Sequence, residues 1–112
     1  MSEAPLLLQT RDDRGVVTLT MNRPQAFNAL SEAMLASLQD QLDALAGDDA
    51  VRAIVIAAAG RAFCAGHDLR EMRAEPSMDY YRGLFGQCAR MMLTMQRLPV
   101  PVIARVHGIA TA

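Results

Sequence analysis

The sequence contains no lysine. All eleven basic residues are arginine, set against twelve acidic ones for a net charge of −1, so no basic excess points to nucleic acid. We read the all-arginine usage as a codon bias. Cysteine is scarce: Cys64 and Cys88 are the only thiols. They are too few for a secreted disulfide scaffold and lack the partner ligands of a zinc site, so no metal is expected and a reducing, cytoplasmic compartment is. No apolar run reaches the roughly 20 residues a membrane helix needs. The opening residues carry Glu3 early and only a three-leucine run, which matches neither a signal peptide nor a basic transit segment. Linkers and low-complexity tracts are absent too. A chain of 112 residues that is 52% apolar then has room for one small domain with one core.

The elements follow from periodicity and punctuation. Leu6–Thr10 reads as a strand, Asp12–Gly15 as a turn and Val16–Met21 as a second strand, together a hairpin. Pro24 stops that strand because it cannot donate to a ladder, and Gln25–Leu30 is a loop. Ser31 caps a helix that carries Met34, Leu35, Leu38, Leu42 and Leu45 on one face and ends at Gly47. The nearly continuous apolar run Val51–Ala58 predicts a strand of a parallel sheet, buried on both faces. Ser77 opens a long amphipathic helix whose stripe runs from Tyr81 through Leu84, Phe85, Cys88, Met91, Met92 and Met95 to Leu98, and this stripe reads as core. Pro99 and Pro101 bracket its end. Val102–Val106 is a last strand, followed by a turn at His107-Gly108. The order predicts an α/β fold whose later part consists of β–α–β crossovers.

The stretch with chemical promise is Arg61–Leu69, RAFCAGHDL, between the strand RAIVIA and a helical start at Asp68. Ala62, Ala65 and Gly66 let a ligand approach the main chain closely. The N–H groups at a helix start have no partner within the helix and carry partial positive charge. Such a turn suits an anion, or an oxygen that becomes anionic during a reaction.

Three blocks of this sequence, TLTMNRPQAFNALS, VRAIVIAAAGRAFCAGHDLREM and PVPVIARVHGIATA, resemble in order and spacing the amino-terminal half of the crotonase, or enoyl-CoA hydratase/isomerase, superfamily. The wording AGHDL, the segment DYYRGLFGQCARMM and PVPVIA point to one subgroup within it. The resemblance implies the first turns of a crotonase-like ββα spiral, a coenzyme A thioester as substrate with no separate cofactor, and a homotrimer or hexamer for the full-length protein. It makes the His67 backbone N–H one of two oxyanion-hole donors, with Gly66 giving the close approach, Asp68 and Leu69 beginning the helix behind, and Arg70 counted with them among the binding residues. Ala26, Phe27 and Ala65 match positions lining the CoA groove, and Ile109 one near the acyl pocket. The resemblance places the second N–H donor and the acid/base glutamates beyond Ala112, so the chain reads as a portion of that domain, 1–112, with little hydratase activity expected of it alone.

Plainer readings stand beside each of these. His67 is a backbone donor or structural residue before it is a side-chain base, and Asp68 is a helix cap before it orients substrate. Cys64 reads as a small buried hydrophobe and His107 as a strand-end residue. Arg23, Arg61 and Arg70 either approach CoA phosphates or are solvated loop charges. Three functions remain open: an acyl-CoA hydratase or isomerase that stabilises a thioester enolate with backbone N–H groups, a non-catalytic acyl-CoA-binding or regulatory module, and an inactive truncated fragment.

Overall fold

The structure, a computed structural model, describes residues 4–111. Strand β1 (Leu7–Arg11) and strand β2 (Val16–Met21) form the antiparallel hairpin, with Leu7 opposite Met21 and Arg11 opposite Val17. Asp12 makes its turn: one carboxylate oxygen accepts the N–H groups of Arg14 at 2.9 Å and Val16 at 3.0 Å. The Val16 N–H and then the Arg14 side chain hold the Asp12 carboxyl below its ordinary pKa.

A single turn of 3₁₀ helix, Pro24–Ala26, follows β2 and leads to helix α1, Glu32–Ala46. The Ser31 hydroxyl caps α1 by accepting the Met34 N–H at 3.1 Å. The five residues expected on the inner face, Met34, Leu35, Leu38, Leu42 and Leu45, are the buried ones. Strand β3 (Ala53–Ala58) returns parallel to β2, and helices α2 (Leu69–Ala74) and α3 (Met78–Arg97) carry the chain to strand β5 (Val102–Ala104), parallel to β3. The main sheet therefore has the order β1-β2-β3-β5. Strand β4 (Ala62–Cys64) lies outside it and pairs in parallel with β6 (Ile109–Ala110).

Residues 17, 19 and 21 of β2 stand opposite 54, 56 and 58 of β3, so Val17, Leu19, Met21, Ile54 and Ile56 share one sheet face. That face is buried in one cluster with the inner residues of α1 and with Leu84 and Met91 of α3. The architecture is a two-layer α/β arrangement.

Four expectations change at this point. Val51 lies in the turn leaving α1, its N–H bound to the Asp48 carbonyl, so β3 starts at Ala53. Ala53 and Val55, which point away from Ile54 and Ile56, are only half-buried, because the helices cover one face of the sheet among the described residues. Strand β5 ends at Ala104; Arg105 makes one more bond, to the Ile56 carbonyl, and the chain then leaves the sheet toward β6. The α3 stripe is core only in part: Leu84 and Met91 are buried, whereas Phe85 and Met92 are 45% and 47% exposed.

The packing predicts a rank order of stability. Leu35→Ala, at a fully buried site, should cost about 2–5 kcal/mol. Ser31→Ala, which removes one cap, should cost about 1 kcal/mol. Urea midpoints check this; a Ser31 effect equal to that of Leu35 would contradict the assignment of the core.

Candidate functional site

The site forms where the loop after β2 meets the turn after β4. Phe27 and Asn28 both adopt left-handed backbone conformations, φ 52° and 54°. Asparagine tolerates that region; phenylalanine rarely enters it, so the surroundings must hold it there. Backbone bonds from Phe27 to Pro24 and from Asn28 to Arg23 hold it locally, and the fully buried Asn28 side chain ties it to the next segment. Its amide nitrogen donates to the Ala59 carbonyl at 2.9 Å and the Ala62 carbonyl at 3.0 Å, and its oxygen accepts the Arg23 N–H at 2.8 Å. Gly60 brings the two segments this close: a Cβ there would sit 2.6 Å from Cβ of Pro24.

With the loop fixed, backbone groups pair across the gap. The Ala65 N–H donates to the Phe27 carbonyl at 3.0 Å, the Leu30 N–H to the Gly66 carbonyl at 2.7 Å, and the Asp68 N–H to the Leu30 carbonyl at 3.4 Å. Leu30 and His67 thus form a parallel bridge. Residue 66 turns with φ 89°, a conformation open to glycine. A trans peptide points its N–H opposite to its carbonyl, so the bond from Leu30 to the Gly66 carbonyl aims the His67 N–H away from the loop. Among the described residues no group accepts that N–H.

A cavity of about 280 Å³ opens at this junction. Ala26, Phe27 and Ala65 line it, as do His67, Asp68, Leu69 and Arg70, so the structure brings together seven of the nine residues expected to bind. The eighth, Gly66, is buried between Ala65 and His67 and shapes the turn. Ile109 is different: it lies on β6, 65% exposed, and is not part of the cavity wall. A larger apolar cavity of about 480 Å³ lies behind the turn, between α3 and the sheet. Its walls are aliphatic, thioether and phenyl side chains with the Cys64 thiol and the Gln96 amide, and it lacks the charged groups of the smaller one.

Asp68 is the cap that the sequence predicts. One carboxylate oxygen accepts the Arg70 N–H at 3.0 Å and the Glu71 N–H at 3.3 Å, while the other lies 3.5 Å from the Arg23 guanidinium. Arg23 and Arg70 both border the cavity, whereas Arg61 does not. The His67 ring stands edge-on to Phe85 of α3, centroids 4.9 Å apart, and buries Nδ1 with no hydrogen-bond partner among the described residues. Among the described residues no carboxylate bonds to the imidazole to orient it as a general base is oriented.

Cys64 is buried, as expected, and its sulfur accepts the Gly66 N–H at 3.4 Å. Burial first, and the neighbouring Cys64 second, push the Cys88 thiol above its ordinary pKa. His107 donates from Nε2 to the Gly60 carbonyl at 2.7 Å, which ties the strand end to the same turn. Among the described residues no cluster of side chains suits a metal ion, and no helix is long and apolar enough to cross a membrane. Asn28 is the residue that sequence reasoning missed. It sits inside the loop Gln25–Leu30, and no local signal marks it, because two of its partners are carbonyls of residues 59 and 62.

Comparison with known proteins places this geometry. The family profile described as enoyl-CoA hydratase/isomerase matches residues 16–111. A crystal structure of an enoyl-CoA hydratase from Mycobacterium smegmatis is 72% identical and superposes with a TM-score of 0.96, over 97% of this chain and 42% of that one. Human enoyl-CoA hydratase domain-containing protein 3 superposes with a TM-score of 0.89 at 37% identity, over 96% of this chain and 42% of that one. The mitochondrial protein of the same name from Xenopus laevis is 44% identical over 91% of this chain, and 35% of its own length is spanned. The AGHDL subgroup is the one these two proteins represent, and the fold is the crotonase type. The chain spans about a third of the curated relatives it matches. It belongs to the enoyl-CoA hydratase/isomerase family.

Proposed function

We propose that this chain binds the thioester end of an acyl-CoA in the cavity beside His67, and that the His67 N–H donates to the thioester oxygen. The observation that carries this reading is the His67 N–H: without an acceptor among the described residues, and fixed in direction by the Leu30–Gly66 bond. When a proton leaves the carbon next to a thioester, or a nucleophile adds one carbon further on, negative charge moves to that oxygen. A preset N–H lowers the barrier because it does not have to reorient as charge develops, and one such donor is worth about 100- to 1000-fold in rate. Ala65 and Gly66 leave room for the thioester to reach the main chain, and Ala26 and Phe27 form the opposing wall.

Arg23 and Arg70 at the rim supply positive charge suited to the phosphates of coenzyme A. The carboxylate nearest the site, Asp68, is occupied by two backbone N–H groups and faces Arg23, so it acts as a scaffold and leaves proton transfer to other groups. In this reading the second N–H donor and the acid/base residues belong to the part of the family's length that this chain does not span. The chain by itself is then a binding and polarising half-site with hydration of crotonyl-CoA near background. Both thiols are free, which suits a reducing compartment. The sequence pointed to the cytoplasm, whereas the Xenopus relative is mitochondrial by name.

Titration of the ¹⁵N-labelled chain with crotonyl-CoA tests the reading. The amides of Ala65, Gly66 and His67 should shift, that of His67 downfield, while Leu19 in the sheet stays still. No shift at His67, together with no heat in calorimetry, would refute it. Arg70→Ala should weaken crotonyl-CoA binding about two- to fivefold and leave a pantetheine thioester, which lacks the nucleotide phosphates, unaffected. Equal losses for both ligands would remove Arg70 from phosphate recognition.

A further inference from the structure

We infer that Asn28 is a positioning residue for the His67 N–H, acting through two backbone segments. The inference rests on the role proposed above for that N–H. The peptide between Gly66 and His67 can turn about its flanking bonds, and glycine on one side makes the turn easy. What stops it is the Leu30 N–H, which holds the Gly66 carbonyl at 2.7 Å. Leu30 can do this only while the Arg23–Leu30 loop stays fixed relative to the β3–β4 segment.

Asn28 supplies that connection from the buried side. Its nitrogen binds Ala59 and Ala62, which flank the turn between β3 and β4, and its oxygen binds Arg23 at the start of the loop. All three bonds lie between 2.8 and 3.0 Å, and the side chain is 0% exposed. The flanking Phe27 and Asn28 backbone is in the left-handed region, so the loop carries strain that these bonds offset. The Ala65–Phe27 bond holds the turn ahead of Gly66, while the Asp68 N–H to the Leu30 carbonyl and the Arg23–Asp68 ion pair hold it beyond His67, and all of them run through the loop that Asn28 fixes. Removing the Asn28 amide therefore loosens the Leu30 grip before it loosens the sheet.

Asn28→Asp keeps size and the acceptor for Arg23 but cannot donate to Ala59 or Ala62. Asn28→Gly keeps the left-handed backbone and removes the side chain. Native-state hydrogen exchange separates positioning from general stability. In either variant, exchange at the Leu30 and Asp68 amides should rise by about tenfold relative to Leu19 in the sheet, the ratio expected for losing the equivalent of one net hydrogen bond. Ile54→Val, a core change in β3, should speed all three amides together. Parallel loss at Leu30 and Leu19 in both Asn28 variants would overturn the inference, and so would failure of both to fold, since Asn28 would then be a general stabiliser.

A second readout keeps this apart from the functional reading. The carbonyl ¹³C resonance of bound [1-¹³C]crotonyl-CoA should lie downfield with the unaltered chain and move back toward its free value in the Asn28 variants, with affinity changed less than the shift. A downfield shift fully retained in the variants would overturn the positioning role. No downfield shift with the unaltered chain, alongside the selective exchange effect, would refute the thioester reading while leaving the hold of Asn28 on the turn intact.

Discussion

The hydrogen bond from the Leu30 N–H to the Gly66 carbonyl, 2.7 Å long, is the constraint on which the site depends. It joins a loop that precedes α1 to a turn that precedes α2. A peptide unit is rigid, so gripping its carbonyl decides where its N–H points. Nothing in the identity of His67 is needed for that result. The imidazole stands edge-on to Phe85 and takes no part in that hold. A donor made of backbone keeps its charge state across the working pH range, unlike a side chain that titrates.

The rest of the structure can be understood as support for this one peptide. Strands β2 and β3 pair in parallel along six residues each, so the ends of both strands arrive at the same level, Met21 beside Ala58. The segments that leave those ends are then neighbours, and Asn28 bonds one to the other. Helix α1 fixes the far side of the loop through the Ser31 cap, and the Glu71 side chain accepts the Glu32 N–H at 2.9 Å, which links α2 to the start of α1. Strand β6 supports β4 from behind, with Thr111 donating its N–H to the Cys64 carbonyl and its hydroxyl to the Ala65 carbonyl. Both cavity-lining segments are thus braced on the side away from the cavity.

What was legible in the sequence was local. The caps at Ser31, Asp68 and Ser77 could be seen because a capping side chain bonds to a backbone two or three residues on. The α1 face was legible because helical spacing and burial coincide along all its turns. The turn Arg61–Leu69 was legible through its small residues. The parts that were missed depend on partners distant in sequence. Strand β4 has three residues and exists because β6 lies beside it, a pairing that spans more than forty positions. Asn28 is anchored to carbonyls, which every residue type offers equally. The stripe on α3 shows the opposite limit: periodicity identified Phe85 and Met92 as apolar and aligned, but not that they lie exposed. Ile109 matched a family position in sequence, yet the β4–β6 pairing holds it outside the small cavity.

Replacing the peptide bond before His67 by an ester, through semisynthesis, removes that N–H, leaves every side chain unchanged and keeps the Gly66 carbonyl as a somewhat weaker acceptor for Leu30. The account predicts a chain that folds with the same cooperativity, because among the described residues this N–H bonds to no protein group. It also predicts that bound crotonyl-CoA loses its downfield carbonyl shift. An ester-containing chain that still polarises the thioester, or that unfolds for want of this N–H, would contradict the account.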